Sequence, residues 1–429
     1  MLRWPGQSKA HPIGLDIGGS SVKMLQLATV GESWVAVASG HYQLPATVED
    51  DAQRQRLLGE AIARLLDSGV FRGRQVVANL PEPAVQYKNI RLPRMPASER
   101  DEAVRWEVVE RLELAERNFD VQCLEAGEVR HGQELRSELI AMVAPQEAVK
   151  QRMELLLSAG LQPMALEPAP VSLARCVSRE ARREADQQNV RVLADVGRST
   201  TKVVMLRGDR VVFFKPIEIG GRQLDEAVAN KLDLSIEDAS ELRRKLSTDD
   251  VTAVSEPAPG EGDVPADHEP NDERPGEGRA ADDPPAGDRP AEERRADDRG
   301  DEQVADEPLF GSSRRQSVRR AMNEAGRSII GDLAREIGLC LRYLTVTFRG
   351  QRPGSIDLVG GEAHDPQIGR VIAEQLEIEV NAPNPLEGID LSSRHVQLER
   401  RRPASAWALT AGLAMRPIAS LSMRKRGAA

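Results

Sequence analysis

The chain has 429 residues, a net charge of −10 and 40% apolar residues, few of which are aromatic. This length predicts two or more domains with ordinary hydrophobic cores. The acidic balance, without a dense stripe of Lys and Arg, argues against nucleic acid as the main partner.

The three cysteines lie far apart and form no CxxC pair: Cys123, Cys176 and Cys340. This spacing argues against a zinc knuckle or a disulfide framework and is typical of a reducing compartment. Residues 1–11 lack the apolar core of a signal peptide, and no run of about 18 apolar residues predicts a spanning helix. We therefore expect a cytoplasmic protein that reaches a membrane only through protein partners, without direct insertion.

Strands alternate with helices along most of the chain, which predicts the α/β class. The first strand is predicted at Ile13–Asp16, and an amphipathic helix behind it ends at Gly69. The remaining elements follow in order: strands at 76–80 and 85–92, a helix at 98–112, a strand at 139–143, a helix at 147–159, a helix over 322–344, a strand at 356–359 and a helix from Pro366.

The segment from Ser247 to Gln316 consists mainly of Pro, Gly, Asp, Glu and Arg and has almost no large apolar residues. Such a composition cannot bury enough apolar surface to offset the entropy of ordering the chain. We expect a disordered insertion within a folded domain, which serves either as a partner tether or as a tolerated surface loop.

The chain also contains an internal duplication. GLDIGGSSVKMLQL at Gly14–Leu27 aligns with LADVGRSTTKVVML at Leu193–Leu206. Two copies separated by the length of a domain indicate two related halves that face each other. The aligned pairs are Asp16/Asp195, Gly18/Gly197, Ser20/Ser199, Ser21/Thr200 and Lys23/Lys202.

The residue types in these copies predict a clamp for a triphosphate and its metal ion. An Asp at the end of a strand is a hard oxygen ligand that can hold hydrated Mg²⁺, and both Asp16 and Asp195 meet this description. The glycine that follows lets the backbone approach a ligand closely. Hydroxyls in the turn, beside backbone N–H groups, add an anion-binding nest.

Three further segments carry weaker signals. Glu167 could orient a water or the metal, or it could be an acid that is stabilised at a helix N-terminus. Gly360 and Gly361 follow a strand and leave space for a flat ligand such as adenine, although Gly-Gly also forms plain turns. Residues Trp407–Ala414 predict a helix of small residues in which Gly412 permits close packing.

These segments, in this order, resemble the nucleotide-binding signature of the actin, sugar-kinase and heat-shock-chaperone ATPase superfamily. The resemblance implies an α/β actin-like ATPase fold, with two duplicated halves around a nucleotide cleft, and ATP and Mg²⁺ as cofactors. Asp16 and Asp195 would be the metal-side acids, and Glu167 would position the water. Glu241 and Arg244 would reach the ribose and base, near Gly360 and Gly361. The phosphates would be surrounded by Gly18, Gly19, Ser20, Ser21, Lys23, Gly197, Ser199 and Thr200.

Within this superfamily, residues 76–167 resemble the branch that contains the pilus assembly protein PilM and the cell-division protein FtsA. The stretches VVANLPEPAVQYKNIRLP and SELIAMVAPQEAVKQRMELLLSAGL carry the likeness. It implies an FtsA-like extra subdomain in the first half and a scaffold for type IV pilus or related secretion machinery, with weak or conditional ATPase activity at most. The implied partners are a PilN-like inner-membrane protein, bound through its N-terminal cytoplasmic peptide, and other pilus assembly proteins. The scaffold would then be peripheral at the inner membrane.

Two alternatives remain on this fold. A sugar or acyl kinase would need a catalytic base in the first half, where Asp101 resembles a helix cap and Asp120 lies in a β-like run. An FtsA-like cytoskeletal protein would need a membrane-targeting helix, for which the basic C-terminal SLSMRKRGAA is short.

The expected domain order combines these predictions. The two ATPase domains are each interrupted, and a connector and a tail end the chain. The ranges are 11–72 for the first part of domain 1, 73–160 for the extra subdomain, 161–190 for the return to domain 1, 191–246 and 317–400 for domain 2, 247–316 for the insertion, 401–418 for the connector helix and 419–429 for the basic tail.

Overall fold

The structure is a computed structural model of the chain. It describes residues 10–45, 48, 50–112, 118–131, 133–178, 189–254, 312–348, 352–398 and 404–417. The basic tail expected at 419–429 lies outside these residues. No helix in these ranges is both long enough and apolar enough to cross a membrane.

The described strands, in chain order, are β1 (Ile13–Ile17), β2 (Ser21–Val30), β3 (Ser33–Gln43), β4 (Gln75–Asn79), β5 (Gln86–Pro93), β6 (Phe119–His131), β7 (Glu134–Pro145), β8 (Gln162–Glu167), β9 (Val190–Val196), β10 (Thr201–Arg207), β11 (Arg210–Ile217), β12 (Ser355–Val359), β13 (Glu379–Asn381) and β14 (Ile389–Asp390).

The described helices are α1 (Asp51–Asp67), α2 (Ala97–Arg111), α3 (Gln146–Ser158), α4 (Ala169–Val177), α5 (Gly221–Leu232), α6 (Ile236–Val254), α7 (Ser312–Phe348), α8 (Pro366–Leu376) and α9 (Ala408–Ala414). Short 3-10 turns lie at Glu82–Ala84 and Ala404–Trp407.

The first half is built on a six-stranded sheet in the order β14-β3-β2-β1-β4-β8. Every residue of the central strand β1 is buried, because helices cover both faces of the sheet. Helix α1 supplies one of these layers. Asp50 caps its N-terminus by accepting a hydrogen bond from the backbone N–H of Gln53 at 2.7 Å. Its buried residues recur at helical spacing: Leu58, Ala61, Ile62 and Leu66.

The second half repeats this plan with a sheet in the order β11-β10-β9-β12-β13. In both halves a three-stranded antiparallel meander is followed by two parallel strands, β4 and β8 in the first sheet and β12 and β13 in the second. The strand register places Asp16 opposite Lys23 and Asp195 opposite Lys202. The duplication seen in the sequence is therefore a duplication of the fold.

A separate three-stranded sheet, β5-β7-β6, forms the extra subdomain of the first half. Helix α2 packs on it through Val104 and Val108, which meet Ile90 and Leu139 in a core of their own. The subdomain is narrower than the expected range 73–160. Strand β4 pairs with β1 and β8 in the first sheet, and α3 packs against α1 and β8, so both belong to the first half.

Helices α4 and α9 lie side by side between the two sheets and share one core with both halves. Gly412 permits this packing, as predicted, because a Cβ there would overlap the backbone carbonyl of Ser172. The chain also returns to the first sheet before α9, since Ile389–Asp390 pairs with β3. The expected second part of domain 2, 317–400, is therefore too long at its C-terminal end.

The predicted insertion at 247–316 is too wide at both ends. Helix α6 continues to Val254, and helix α7 begins at Ser312, because the helical pattern of the flanking sequence extends into the polar stretch. The remaining residues of the predicted insertion, 255–311, lie outside the described residues.

Candidate functional site

The turns of the two equivalent hairpins face each other between the halves. In the first turn the backbone N–H of Gly18 donates to the carbonyl of Ser21 at 2.9 Å. In the second turn the N–H of Gly197 donates to the carbonyl of Thr200 at 3.0 Å. The same hydrogen bond therefore closes both turns, at aligned positions of the two copies.

Each hairpin carries a buried ion pair at its base. Lys23 Nζ lies 3.3 Å from a carboxylate oxygen of Asp16, and Lys202 Nζ lies 3.1 Å from one of Asp195. Burial lowers the pKa of Lys202, but the carboxylates of Asp195, Glu82 and Asp16 more than offset this and raise its pKa above the ordinary value. Lys202 is therefore firmly cationic at neutral pH.

The space between the hairpins is a cavity of about 690 Å³ that both halves line. Seven lysines and arginines and five acids line it, so the cavity is cationic in a chain whose net charge is −10. Such a surplus attracts an anionic ligand, and the volume suits one of nucleotide size.

Most of the residues predicted from the sequence line this one cavity. They are Asp16, Gly18, Gly19, Ser20, Ser21, Lys23, Asp195, Gly197, Ser199, Thr200, Arg244, Gly360 and Gly361. Glu167 and Glu241 do not line it.

Glu167 is held in structural contacts away from the cavity, so the geometry does not support its predicted water-positioning role. It is 3% exposed, and Arg175 forms two hydrogen bonds with it, at 2.8 and 3.0 Å. Ser172 donates a third hydrogen bond, and Arg416 adds an ion pair. Burial would raise the pKa of Glu167, but these donors hold it below its ordinary value. The carboxylate joins α4 to the chain beyond α9.

Glu241 faces solvent, and Arg243 takes the inner position on α6. Glu241 pairs with Lys245 at 2.7 Å, one helical turn along the surface. The buried Arg243 donates to Asp225 at 2.5 Å and to Glu362 at 3.0 Å. Arg198 pairs with the same Asp225. The sequence does contain a signal for Arg243, because it lies on one helical face with the buried Ala239 and Leu246.

Gly360 brings the loop after β12 against the second hairpin. Its φ is +99°, and a Cβ there would lie 2.5 Å from Oδ1 of Asp195. Only glycine fits this conformation and this approach. The N–H of Glu362 donates to the carbonyl of Val196 at 3.0 Å, which fixes the loop beside the cavity.

The cavity also holds residues that the sequence did not single out. Glu82 accepts hydrogen bonds from the N–H of Ala169 at 3.0 Å and from the hydroxyl of Tyr87 at 3.2 Å. Burial raises the pKa of Glu82, and the charge of Lys202 opposes this in part. The sequence signal that could have identified Glu82 is its position just after β4, because the carboxyl ends of parallel strands meet at the same edge of a sheet.

Two arginines reach the cavity from the helices of the first half. Arg54 on α1 donates to the carbonyl of Gly18 at 2.9 Å, and Arg152 on α3 donates to the carbonyl of Asn79 at 3.0 Å. Burial lowers the pKa of Arg152 to about 10, with Asp16 opposing the shift. The sequence gives no signal that distinguishes either arginine from an ordinary solvent-exposed arginine on a helix.

The cavity fits a nucleotide but does not fit a metal ion bound directly by Asp16 and Asp195. Its turns, its cationic lining and the close approach at Gly360 suit a polyphosphate and a flat base. Both aspartates, however, are engaged by lysines at 3.3 and 3.1 Å. Within the described residues, no three His, Cys, Asp or Glu side chains converge on a point that could hold a metal ion. This geometry argues against direct ligation by the two carboxylates, and the predicted contact of Asp16 and Asp195 with hydrated Mg²⁺ stays a prediction.

Comparisons with known proteins match this architecture. A family model described as type IV pilus assembly protein PilM matches residues 14–255, which is more than half of the chain. The solved PilM-PilN type IV pilus biogenesis complex is similar over 94% of this chain and 97% of that chain, with 20% identity and a TM-score of 0.67. Ethanolamine utilization protein EutJ from Carboxydothermus hydrogenoformans matches over 96% of this chain and 90% of its own, with 12% identity and a TM-score of 0.48. The predicted actin-like ATPase fold is confirmed.

Proposed function

Because the chain belongs to the type IV pilus assembly protein PilM family, we propose that it is an ATP-binding scaffold for a type IV pilus or related secretion machine. The observation that carries the nucleotide assignment is the pair of equivalent hairpins that face one cationic cavity. Turns of this kind offer hydroxyls and backbone N–H groups to phosphates.

The lining residues divide into a phosphate side and a base side. Lys23 and Lys202 supply charge beneath the turns, and the hydroxyls of Ser20, Ser199 and Thr200 surround the phosphates. We assign Arg244, Gly360 and Gly361, which line the same cavity, to the base. Mg²⁺ enters this assignment only as an ion carried on the nucleotide's own phosphates, since the two aspartates are already paired.

The partner follows from the family and from the extra subdomain. The similar solved complex pairs PilM with PilN, and the small sheet that marks this branch is present here. We assign a PilN-like inner-membrane protein as the partner, bound through its N-terminal cytoplasmic peptide, with other pilus assembly proteins joining the same machine. This would hold the chain in the cytoplasm, at the periphery of the inner membrane.

The two acids considered for the kinase alternative do not lie at the cavity. Asp101 lies exposed on α2, and Asp120 lies exposed on β6, where it accepts a hydrogen bond from Gln146 at 3.1 Å. Neither residue lines the cavity. We therefore assign to this protein at most weak or conditional ATP hydrolysis.

Calorimetric titration with ATP tests the nucleotide assignment. We expect saturable one-to-one binding, and Ser199→Asp should weaken it about tenfold or more, because it adds a negative charge at an exposed tip of the clamp. Ser317→Asp on the exposed surface of α7 is the matched control and should bind like the wild type. The absence of heat at millimolar ATP, with the protein folded, would overturn the assignment.

The partner assignment needs its own experiment. A synthetic N-terminal peptide of an inner-membrane pilus protein is titrated into the chain with and without ATP. We expect binding in at least one of the two states. Phosphorylation of an added sugar or carboxylic acid, without peptide binding, would instead favour the kinase.

A further inference from the structure

A cluster of buried charges joins the second hairpin to the wall of the cavity. Arg198, in the turn of that hairpin, pairs with Asp225 on α5. Arg243 on α6 pairs with the same Asp225 at 2.5 Å. The other terminal nitrogen of Arg243, Nη2, lies 3.0 Å from Glu362 and 3.3 Å from Asp365, which both follow β12. Three carboxylates therefore share two guanidinium groups.

Glu362 and Asp365 differ in their surroundings. Glu362 lines the cavity, whereas Asp365 lies outside it and caps α8 by accepting a hydrogen bond from the N–H of Gln367 at 3.0 Å. Oε2 of Glu362 accepts the hydrogen bond from Arg243. Among the residues that the structure describes, no donor forms a hydrogen bond with its other oxygen, Oε1. A carboxylate paired with arginine is an acceptor only, so Glu362 offers one more acceptor at the cavity wall.

The backbone fixes this carboxylate beside the second hairpin. The N–H of Glu362 donates to the carbonyl of Val196 at 3.0 Å, directly before the turn. A Cβ on Gly221 would overlap the carboxylate, so the start of α5 leaves the space that the carboxylate fills. In a nucleotide the ribose is joined directly to the phosphates, and the base lies beyond it. A carboxylate next to a phosphate-binding turn is therefore placed for the ribose.

The chemistry of the ribose also fits this carboxylate. Its 2′ and 3′ hydroxyls are neutral donors, and an Asp or Glu that accepts from a ribose hydroxyl is a known mode of nucleotide recognition. A hydrogen bond to an ionised acceptor is about twice as strong as one between neutral groups. The predicted ribose contact of Glu241 leaves this position open, because Glu241 pairs with Lys245 on the exposed face of α6.

We propose that Glu362 recognises the ribose of the bound nucleotide by accepting a hydrogen bond from its 2′ or 3′ hydroxyl, so that the site selects ribonucleotides over deoxynucleotides. Arg243 is the positioning residue that holds the carboxylate in place. This inference rests on the proposed nucleotide function and names the group by which that site distinguishes one sugar from another.

The test compares the dissociation constants of ATP, 2′-deoxy-ATP and 3′-deoxy-ATP in millimolar Mg²⁺, by calorimetry on the full chain. We expect at least one of the two deoxynucleotides to bind about fivefold or more weakly than ATP. A smaller difference for both of them overturns the inference and leaves the proposed nucleotide function standing. If none of the three nucleotides binds, both are overturned.

Glu362→Met identifies the acceptor, since methionine keeps the length of the side chain without its oxygens. We expect the preference for ATP over the weaker deoxynucleotide to fall to about twofold or less. Asp365→Asn is the matched control, because it removes a carboxylate from the same nitrogen of Arg243 outside the cavity, and asparagine still caps a helix. This control should keep the wild-type preference.

A purely structural role for Glu362 would lower the affinity for all three nucleotides alike. An unchanged preference in Glu362→Met, or an equal loss of preference in Asp365→Asn, would therefore contradict the ribose contact. If Glu362→Met does not fold, the preference is measured on Glu362→Gln, whose oxygen is only a neutral acceptor. We expect that variant to reduce the preference at least about twofold, and an unchanged preference would contradict the contact.

Discussion

Glu138 on β7 accepts a hydrogen bond from the hydroxyl of Tyr343 on α7 at a distance of 2.5 Å. Glu138 is 1% exposed and also pairs with Arg91 on β5 at 2.6 Å. Burial raises the pKa of Tyr343, and the hydrogen bond to Glu138 raises it further. One buried carboxylate therefore joins the small sheet to the second half of the molecule.

Tyr343→Phe should lower the free energy of unfolding by about 1–3 kcal/mol, because it removes a donor from a buried carboxylate. Urea unfolding measures the change. Tyr42→Phe is the matched control, since it keeps the ring that packs under Arg64 and removes a hydroxyl with no hydrogen-bond partner in the described part of the chain. Equal stabilities for the two variants would contradict a role for the Glu138–Tyr343 bond.

Gly412→Ala should destabilise the shared core by more than about 3 kcal/mol or prevent folding, since the added methyl group overlaps the backbone of α4 and neither helix can move freely. Thermal unfolding measures the effect. Gly354→Ala is the control, because a Cβ there meets nothing within 4 Å. A Gly412→Ala protein as stable as this control would show that α4 and α9 are not in close contact.

The hairpins could be predicted because the residues that define each of them lie close together in the sequence. Within each copy, the Asp, the turn glycine and the cross-strand Lys lie within eight residues of one another, and the second copy repeats the pattern. The structure keeps this register in both sheets. The long helix α7 was predictable for a similar reason, since its apolar residues recur with a helical period.

The roles of Glu167 and Glu241 could not be predicted in the same way. Arg416, one partner of Glu167, lies 249 residues along the chain, so its contact exists only in the folded molecule. Glu241 lies two residues before Arg243, about 200° away around the helix, and therefore faces out when Arg243 faces in. Which of the two faces inward depends on Asp225 and Glu362, on other elements of the second half.

Glu167→Gln should lower the free energy of unfolding by about 2–3 kcal/mol at pH 7 without changing the affinity for ATP. The pKa of Glu167 is lowered by folding, so its stabilising charge is present above the unfolded-state pKa. The difference from wild type should therefore shrink as the pH falls through the folded-state pKa. Denaturant unfolding at several pH values, with ATP titrations, measures both quantities.

Glu241→Gln is the control for this experiment, because its exposed pair with Lys245 should contribute less than about 0.5 kcal/mol. A Glu167→Gln variant that kept its stability but lost ATP affinity would show that Glu167 acts in the functional site.

Glu82→Gln should show the opposite pH dependence. Burial raises the pKa of Glu82, so the folded state binds its proton more tightly than the unfolded state does. Stability from this group is present below the unfolded-state pKa and is lost as the pH rises through the folded-state pKa. The melting temperature of Glu82→Gln relative to wild type should therefore be higher at pH 8 than at pH 5. An unchanged difference between the two pH values would contradict the raised pKa.

The return of the chain to the first sheet has a consequence for how the protein is made. Strand β3 receives Ile389–Asp390 as its parallel neighbour, and α9 packs on β1, β2 and β4. On the ribosome, the half that is synthesised first must therefore wait for nearly the last of the described residues before its sheet and its apolar face are complete. The half that is synthesised first is thus completed late. A chain released early from the ribosome would expose the apolar interior of that first half.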